Sequence, residues 1–283
     1  MDATLSPPQL IPARNSLPLL LSIPHSGRDY PAWLLAEARH GRRALATLED
    51  PLVDRLAWRA LAAGHGAVIA RTPRGAIDCN RSLDEVDPAA LAEVGSAPVG
   101  PRARHGLGIV PSRTHVHGTL WKRPLAPARF AARVAAAYTP YHDGVAAALG
   151  ALRARHGAAI LLDLHSMPPR PGSPPIVIGT RHGTSSAPWL AALAVSLAAE
   201  CGFPAVLDDP YAGGEIVARH GRPASGIHAL QIEIDRSIYL ARDLMSAGTG
   251  FDRVSRLVER LVQGLGERLA DSLADDRLAI AAE

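Results

Sequence analysis

ILLDLHSMP, residues 160–168, decides how this chain is read. Four of its first five residues are apolar, and the run then stops on His165, Ser166 and the proline pair Pro168 and Pro169. A short apolar run halted by prolines reads as a buried strand. Asp163, His165 and Ser166 therefore stand at a strand end. In an open α/β sheet, binding and catalytic sites form outside the carboxyl ends of the strands, so this strand ends where a site is expected to begin.

Working outward, further strands are predicted over LPLLLSIPH (17–25), GAVIART (66–72), GAIDCN (75–80), PPIVIGT (174–180) and IHALQIEID (227–235). The pair 66–72 and 75–80 also reads as one strand with a hairpin partner. Helical spacing covers 49–63, with a proline in its first turn, and 126–156, with a kink expected at Pro140. A helix over 186–202 ends on Gly202, and an amphipathic helix covers about 250–275. Residues 87–125, rich in Gly, Pro, Arg and His, read as a long loop or lid. Strands and helices alternate throughout, without a repeat or a linker. The expected fold is one domain over 1–283, an α/β three-layer sandwich with a mostly parallel central sheet.

Composition narrows the function. The chain has 283 residues, 47% hydrophobic and 20% charged, enough for a large core and against wholesale disorder. Net charge is only +3, with no dense basic block and few aromatics, which argues against a nucleic-acid partner. Lys122 is the sole lysine and lies in TLWKRP, so a P-loop is excluded and a Schiff-base enzyme disfavoured. Cys79 and Cys201 form no CxxC, and Cys79 reads as a small buried hydrophobe. The start, MDATLSPPQLIPARNS, has no charged region followed by an apolar one, and no run of about 18 apolar residues exists. No membrane partner and a cytoplasmic location are the expectations; the oligomeric state is not legible.

Four predicted strands end on polar groups: His25-Ser26-Gly27; Asp78, Asn80 and Arg81; Asp163, His165 and Ser166; and Gln231, Glu233 and Asp235. Histidine with carboxylate suggests a metal. Catalytic zinc usually takes three protein ligands and keeps a fourth position open. His25 and His165 with one carboxylate from Glu49, Asp50 or Asp54 would fit, and Asp163 could orient His165 from behind. The plainer reading makes each histidine a strand-end hydrogen bonder. His115 and His117 form an HxH in the irregular basic loop, read as a surface or substrate-side feature rather than a metal pair. His142 reads as a capping residue or as a donor to the site. A Ser/His/Asp triad is disfavoured because neither Ser26 nor Ser166 sits in GxSxG. Arg81 and Asn80, with Arg74 nearby, suit a substrate carboxylate, since arginine binds carboxylates bidentately; the alternative is surface ion pairing with Asp84 or Glu85.

Together these stretches resemble the N-formylglutamate amidohydrolases, a family with a fold related to zinc carboxypeptidases. The resemblance rests on SIPHSG (22–27), EDPLVDRL (49–56), RGAIDCNRSLDE (74–85), YTPYHDG (138–144), LLDLHSMP (161–168) and DDPYAGGEIVARHGRPASGIHALQIEIDRSIYL (208–240). It implies zinc, or another divalent metal, on His25, Asp50 and His165. It implies Glu233 as general base, and Asn80, Arg81 and Arg74 on the substrate carboxylate. His142 or an arginine would stabilise the oxyanion. The HxxE of carboxypeptidases is absent, since Arg28 stands third after His25. The implied reaction is hydrolysis of an N-acyl amino acid, foremost N-formyl-L-glutamate. The basic residues Arg102, Arg104, Arg113, Lys122 and Arg123 are candidates for selecting an acidic side chain, or form a solvated face. Two rivals remain: an amidohydrolase for another N-acyl amino acid or peptide-like amide, and a metal-free binding protein of the same fold.

Overall fold

The structure is a computed structural model and describes residues 4–93 and 100–281. The chain forms two compact units. The first comprises the described residues of Met1–Gln9, Pro24–Asp50 and Ile69–Gly144; the second comprises Leu10–Ile23, Pro51–Val68 and the described residues of Val145–Glu283.

Along the chain the strands are β1 (Gln9–Ile11), β2 (Leu19–Ile23), β3 (Gly66–Ile69), β4 (Arg113–Thr114), β5 (Gly118–Thr119), β6 (Ala159–Met167), β7 (Ile176–Gly179), β8 (Ala205–Leu207) and β9 (Ile227–Asp235). The second unit is built on a seven-stranded sheet of order β1-β3-β2-β6-β9-β7-β8. β2 pairs parallel to β6, β6 to β9 and β7 to β8, while β7 runs antiparallel to β9. The fold is therefore α/β with a mostly parallel central sheet, as the alternating pattern predicts. All five residues of β2 and all nine of β6 are buried. Covering both faces is what allows near-continuous apolar runs in parallel strands.

Helix Phe251–Ala281 packs against β2, β6, helix Pro188–Glu200 and the short helices Val53–Leu56 and Trp58–Ala62. Its buried stripe, Val254, Leu257, Val258, Leu261, Val262, Leu265 and Leu269, follows the three-and-four spacing of one helix face. Each such side chain contributes about 1.5–3 kcal/mol on burial. Gly264 allows the close approach: a Cβ there would lie 2.9 Å from Leu197. Helix Pro188–Glu200 ends as predicted, with Gly202 at φ +76°.

Several expectations are corrected. The 49–63 stretch is two short helices starting at Val53, not one. The 126–156 stretch is helix Pro127–Arg133, a π-helical turn Val134–Tyr138 and helix Thr139–His156. Pro140 cannot donate a backbone hydrogen bond and crowds the preceding turn, which the π turn absorbs. The 87–125 stretch contains helix Pro101–Arg104 and the β4–β5 hairpin; its residues 94–99 lie outside the described residues. β1 and β8 have no counterpart among the predicted strands.

Residues 75–80 form turns rather than a strand. Ala76 and Ile77 are apolar because they enter the first unit's core with Leu34, Leu45, Ile109, Leu120 and Tyr138. Buried backbone outside a sheet still needs partners for its carbonyls. Arg133 Nη1 donates to Ala76 O (2.9 Å), His142 Nε2 to Cys79 O (3.0 Å) and Tyr138 Oη to Arg81 O (3.0 Å). Arg133 is itself buried, beside the rings of Trp33 and Trp121, and donates to Glu37. Burial lowers its pKa to about 10, partly offset by Glu37, so it remains cationic.

Candidate functional site

In the second unit, the register of the sheet aligns the polar residues. Ser22 pairs with Asp163 and Asp163 with Gln231; one step of two residues on, His165 pairs with Glu233. Side chains alternate along a strand, so Asp163 and His165 share a face, as do Gln231 and Glu233. All five are buried. Ser22 Oγ donates to Asp163 Oδ1 at 2.6 Å, and Asp163 Oδ2 lies 2.8 Å from His165 Nε2. An ionised carboxylate only accepts, so Nε2 of His165 carries a proton directed at Asp163.

In the first unit, His25 follows the end of β2 by two residues. Its Nε2 lies 2.7 Å from Asp78 Oδ1 and its Nδ1 lies 3.2 Å from Asp50 Oδ2. Asp78 also accepts from Arg74 Nε (2.8 Å) and from the Asn80 backbone N–H (2.8 Å). Burial alone would raise its pKa, but Arg74, then His25 and Arg81, outweigh burial and hold the carboxyl well below the usual carboxylate range. Asp78 is thus an anion that accepts from Nε2 of His25, while Nδ1 of the same ring lies against Asp50.

The 3.2 Å between Nδ1 and Asp50 Oδ2 accommodates a shared proton, and equally a cation held by both atoms. That separation is what two ligands of a tetrahedral ion adopt, about 3.3 Å apart for bonds of about 2.0 Å. Both histidines have a buried carboxylate against Nε2, Asp78 for His25 and Asp163 for His165, so Nδ1 is the nitrogen a metal would take. This is the carboxylate–histidine pairing found behind metal-ligating histidines. Imidazole and carboxylate are donor types that a divalent metal takes.

Glu49 is occupied differently from Asp50. Tyr30 Oη donates to its carboxylate, and burial pushes its pKa up to about 7 despite that bond and the nearby arginines.

The other predicted residues are placed as follows. Arg74 binds Asp78 and the Leu48 carbonyl. Arg81 is buried, with Nε on Leu107 O (2.9 Å) and Nη1 on Asn80 O (2.7 Å). Arginine has five N–H donors, so these two bonds leave others for a ligand. His142 spends Nε2 on the Cys79 carbonyl and packs between Tyr138 and Tyr141. His117 lies in the turn between β4 and β5, its ring 6.0 Å from that of His40. Ser166 Oγ accepts from Arg236 Nε (3.0 Å), and Ser26 Oγ donates to Asp50 O (3.4 Å). In the basic loop, Lys122 donates to Ala36 O and Arg113 to Arg104 O.

Sequence reasoning named Asp78 only as a strand-end group and did not single out His220. His220, buried at the end of helix Glu215–His220, lies near Asp163. Burial, then Arg219, lowers its pKa from 6.5 to about 4, against the pull of Asp163. The folded state keeps this ring neutral where the unfolded chain would protonate it. The resulting stability is complete above about pH 6.5 and is lost as pH falls toward about 4, by up to about 3 kcal/mol. Urea midpoints should therefore drop less between about pH 7 and pH 4.5 in His220→Gln than in the parent. Equal drops would remove His220 as a cause.

The sequence model described as N-formylglutamate amidohydrolase matches residues 17–240. A protein of Pseudomonas aeruginosa named N-formylglutamate deformylase is 31% identical over 240 residues, covering 80% of this chain and 84% of that one. A Pseudomonas putida protein of the same name is 31% identical over 248 residues, covering 80% and 83%. The crystal structure of an N-formylglutamate amidohydrolase from Ralstonia eutropha JMP134 superposes with a TM-score of 0.84 at 32% identity, covering 96% of this chain and all of that one.

Proposed function

Because the chain belongs to the N-formylglutamate amidohydrolase family, we propose that it hydrolyses N-formyl-L-glutamate to formate and L-glutamate, using zinc held by His25, Asp50 and His165. Each of the three is buried and offers one donor atom of a kind zinc takes. The observation that carries this reading is the matched orientation of the two histidines, each set by a carboxylate behind Nε2.

When bound, zinc supplies Lewis acidity: it acidifies water and polarises a carbonyl oxygen. The chain's own residues supply the rest. Glu233 accepts a proton from the attacking water and delivers it to the leaving nitrogen, so that water's oxygen ends in formate and glutamate leaves as the amine. Asp78 and Asp163 keep both histidines in the ligating tautomer. Arg81 and Asn80 are assigned to the substrate carboxylate, with Arg74 securing Asp78 beside them. His142 supports that group by holding the 75–81 turn, on which Asn80 stands.

The test is formate release from a panel of N-formyl and N-acetyl amino acids, with metal-depleted protein and after zinc is restored. Zinc-dependent release with the highest kcat/KM for N-formyl-L-glutamate is expected. A higher kcat/KM for another member would replace the substrate assignment. No release from any of them, with zinc demonstrably bound, would overturn the activity.

A further inference from the structure

Glu233 does not stand alone in β9. Gln231, two residues before it on the same face, donates from Nε2 to Glu233 Oε1 at 2.9 Å. The other end of the same amide is also held: Gln231 Oε1 accepts from the backbone N–H of Gly214 at 2.8 Å. Gly214 is the residue from which helix Glu215–His220 starts. A backbone N–H can only donate, so the amide oxygen must face Gly214 and the amide NH2 must face Glu233. The orientation of this glutamine is therefore fixed by chemistry rather than by choice of rotamer. Gln231 and Glu233 are 3% and 8% exposed, so water competes poorly for either bond.

We infer that Gln231 is the positioning residue of the reaction: it locks the Glu233 carboxylate through Oε1. The inference rests on Glu233 acting as the base. Two features make glutamine suited to this position. It is neutral, so it adds no charge beside the carboxylate, and it is bifunctional, so one side chain answers a donor on one side and an acceptor on the other. A carboxylate at 231 could still accept from Gly214 but, when ionised, could not donate to Glu233. An apolar side chain could do neither. The β9 backbone holds both residues in the middle of the sheet between β6 and β7, so the spacing between the two side chains is rigid.

Gln231→Glu and Gln231→Met, each with and without Glu233→Gln, test this. In the otherwise unaltered chain both are expected to lower kcat about 10- to 100-fold, the usual cost of losing a group that orients a working residue. KM should stay within about twofold and the zinc content should be unchanged. With Glu233→Gln present, neither should cause a further loss. If Gln231→Glu keeps the parent kcat and only Gln231→Met suffers, the residue merely anchors Gly214 and the inference is overturned. A further loss on top of Glu233→Gln would show that Gln231 acts by another route, with the same consequence. A Glu233→Gln variant that turns over normally would remove the base itself; that result comes from the single variant, and so is separable from a failure of the Gln231 assignment alone.

Discussion

Glu233→Gln is expected to lower kcat for formate release by about 100- to 10,000-fold, the range that general acid–base catalysis supplies, with zinc retained at about one per chain. The substitution is nearly isosteric. The amide oxygen of glutamine can still accept from Gln231 Nε2, which donates to Glu233 Oε1 at 2.9 Å in the parent. What is lost is the ability to take a proton, and that loss falls on turnover rather than on folding. The side chain keeps its shape and volume, so the packing of the sheet should be little disturbed. Thermal unfolding therefore serves as the control, and little change is expected. If the variant kept kcat within tenfold of the parent while binding zinc normally, the proton would have to be moved by another group.

Asp50→Asn and Glu49→Gln should separate sharply. Losing a partner behind a ligand typically costs 10–100-fold in metal affinity, and losing a ligand should cost more than that. Asp50→Asn is therefore expected to purify with little zinc and to release formate only weakly at added zinc. Glu49→Gln should keep both zinc and turnover within about twofold. The reason is local. Asp50 Oδ2 faces His25 Nδ1 at 3.2 Å, whereas the Glu49 carboxylate accepts the Tyr30 hydroxyl, a bond that a glutamine oxygen can also accept. Equilibrium dialysis against a competing chelator measures the first difference, and a coupled formate assay measures the second. The reverse pattern would make Glu49 the ligand.

Much of the fold is legible locally. β2, β6 and β9 announce themselves as apolar runs, and the period of two in DLH and QIE places Asp163 with His165, and Gln231 with Glu233, on common faces. The long C-terminal helix follows from its spaced leucines and valines. Residues 75–80 misled for a physical reason: Gly75, Ala76 and Ile77 are as apolar as a strand, but their destination is a core whose carbonyl partners, Arg133, Tyr138 and His142, lie far along the chain. No short-range pattern reports such partners. The short strands β1 and β8 carry too few residues to show a period.

The sequence by itself determined the α/β class, the strands that carry His165 and Glu233, and the family whose motifs these are. It also supplied the donor types, because imidazole and carboxylate side chains in those positions restrict the chemistry whatever their arrangement. Only the tertiary structure decided which atoms do what. It put Asp78 on Nε2 of His25 across 53 residues, turned Nδ1 to Asp50, gave Glu49 to Tyr30, and aimed the Gln231 amide at Glu233 through Gly214. Periodicity is set by the backbone and can be read locally. A hydrogen bond between distant residues is set by the packing of the whole chain, and a difference of one position, as between Glu49 and Asp50, becomes visible only there.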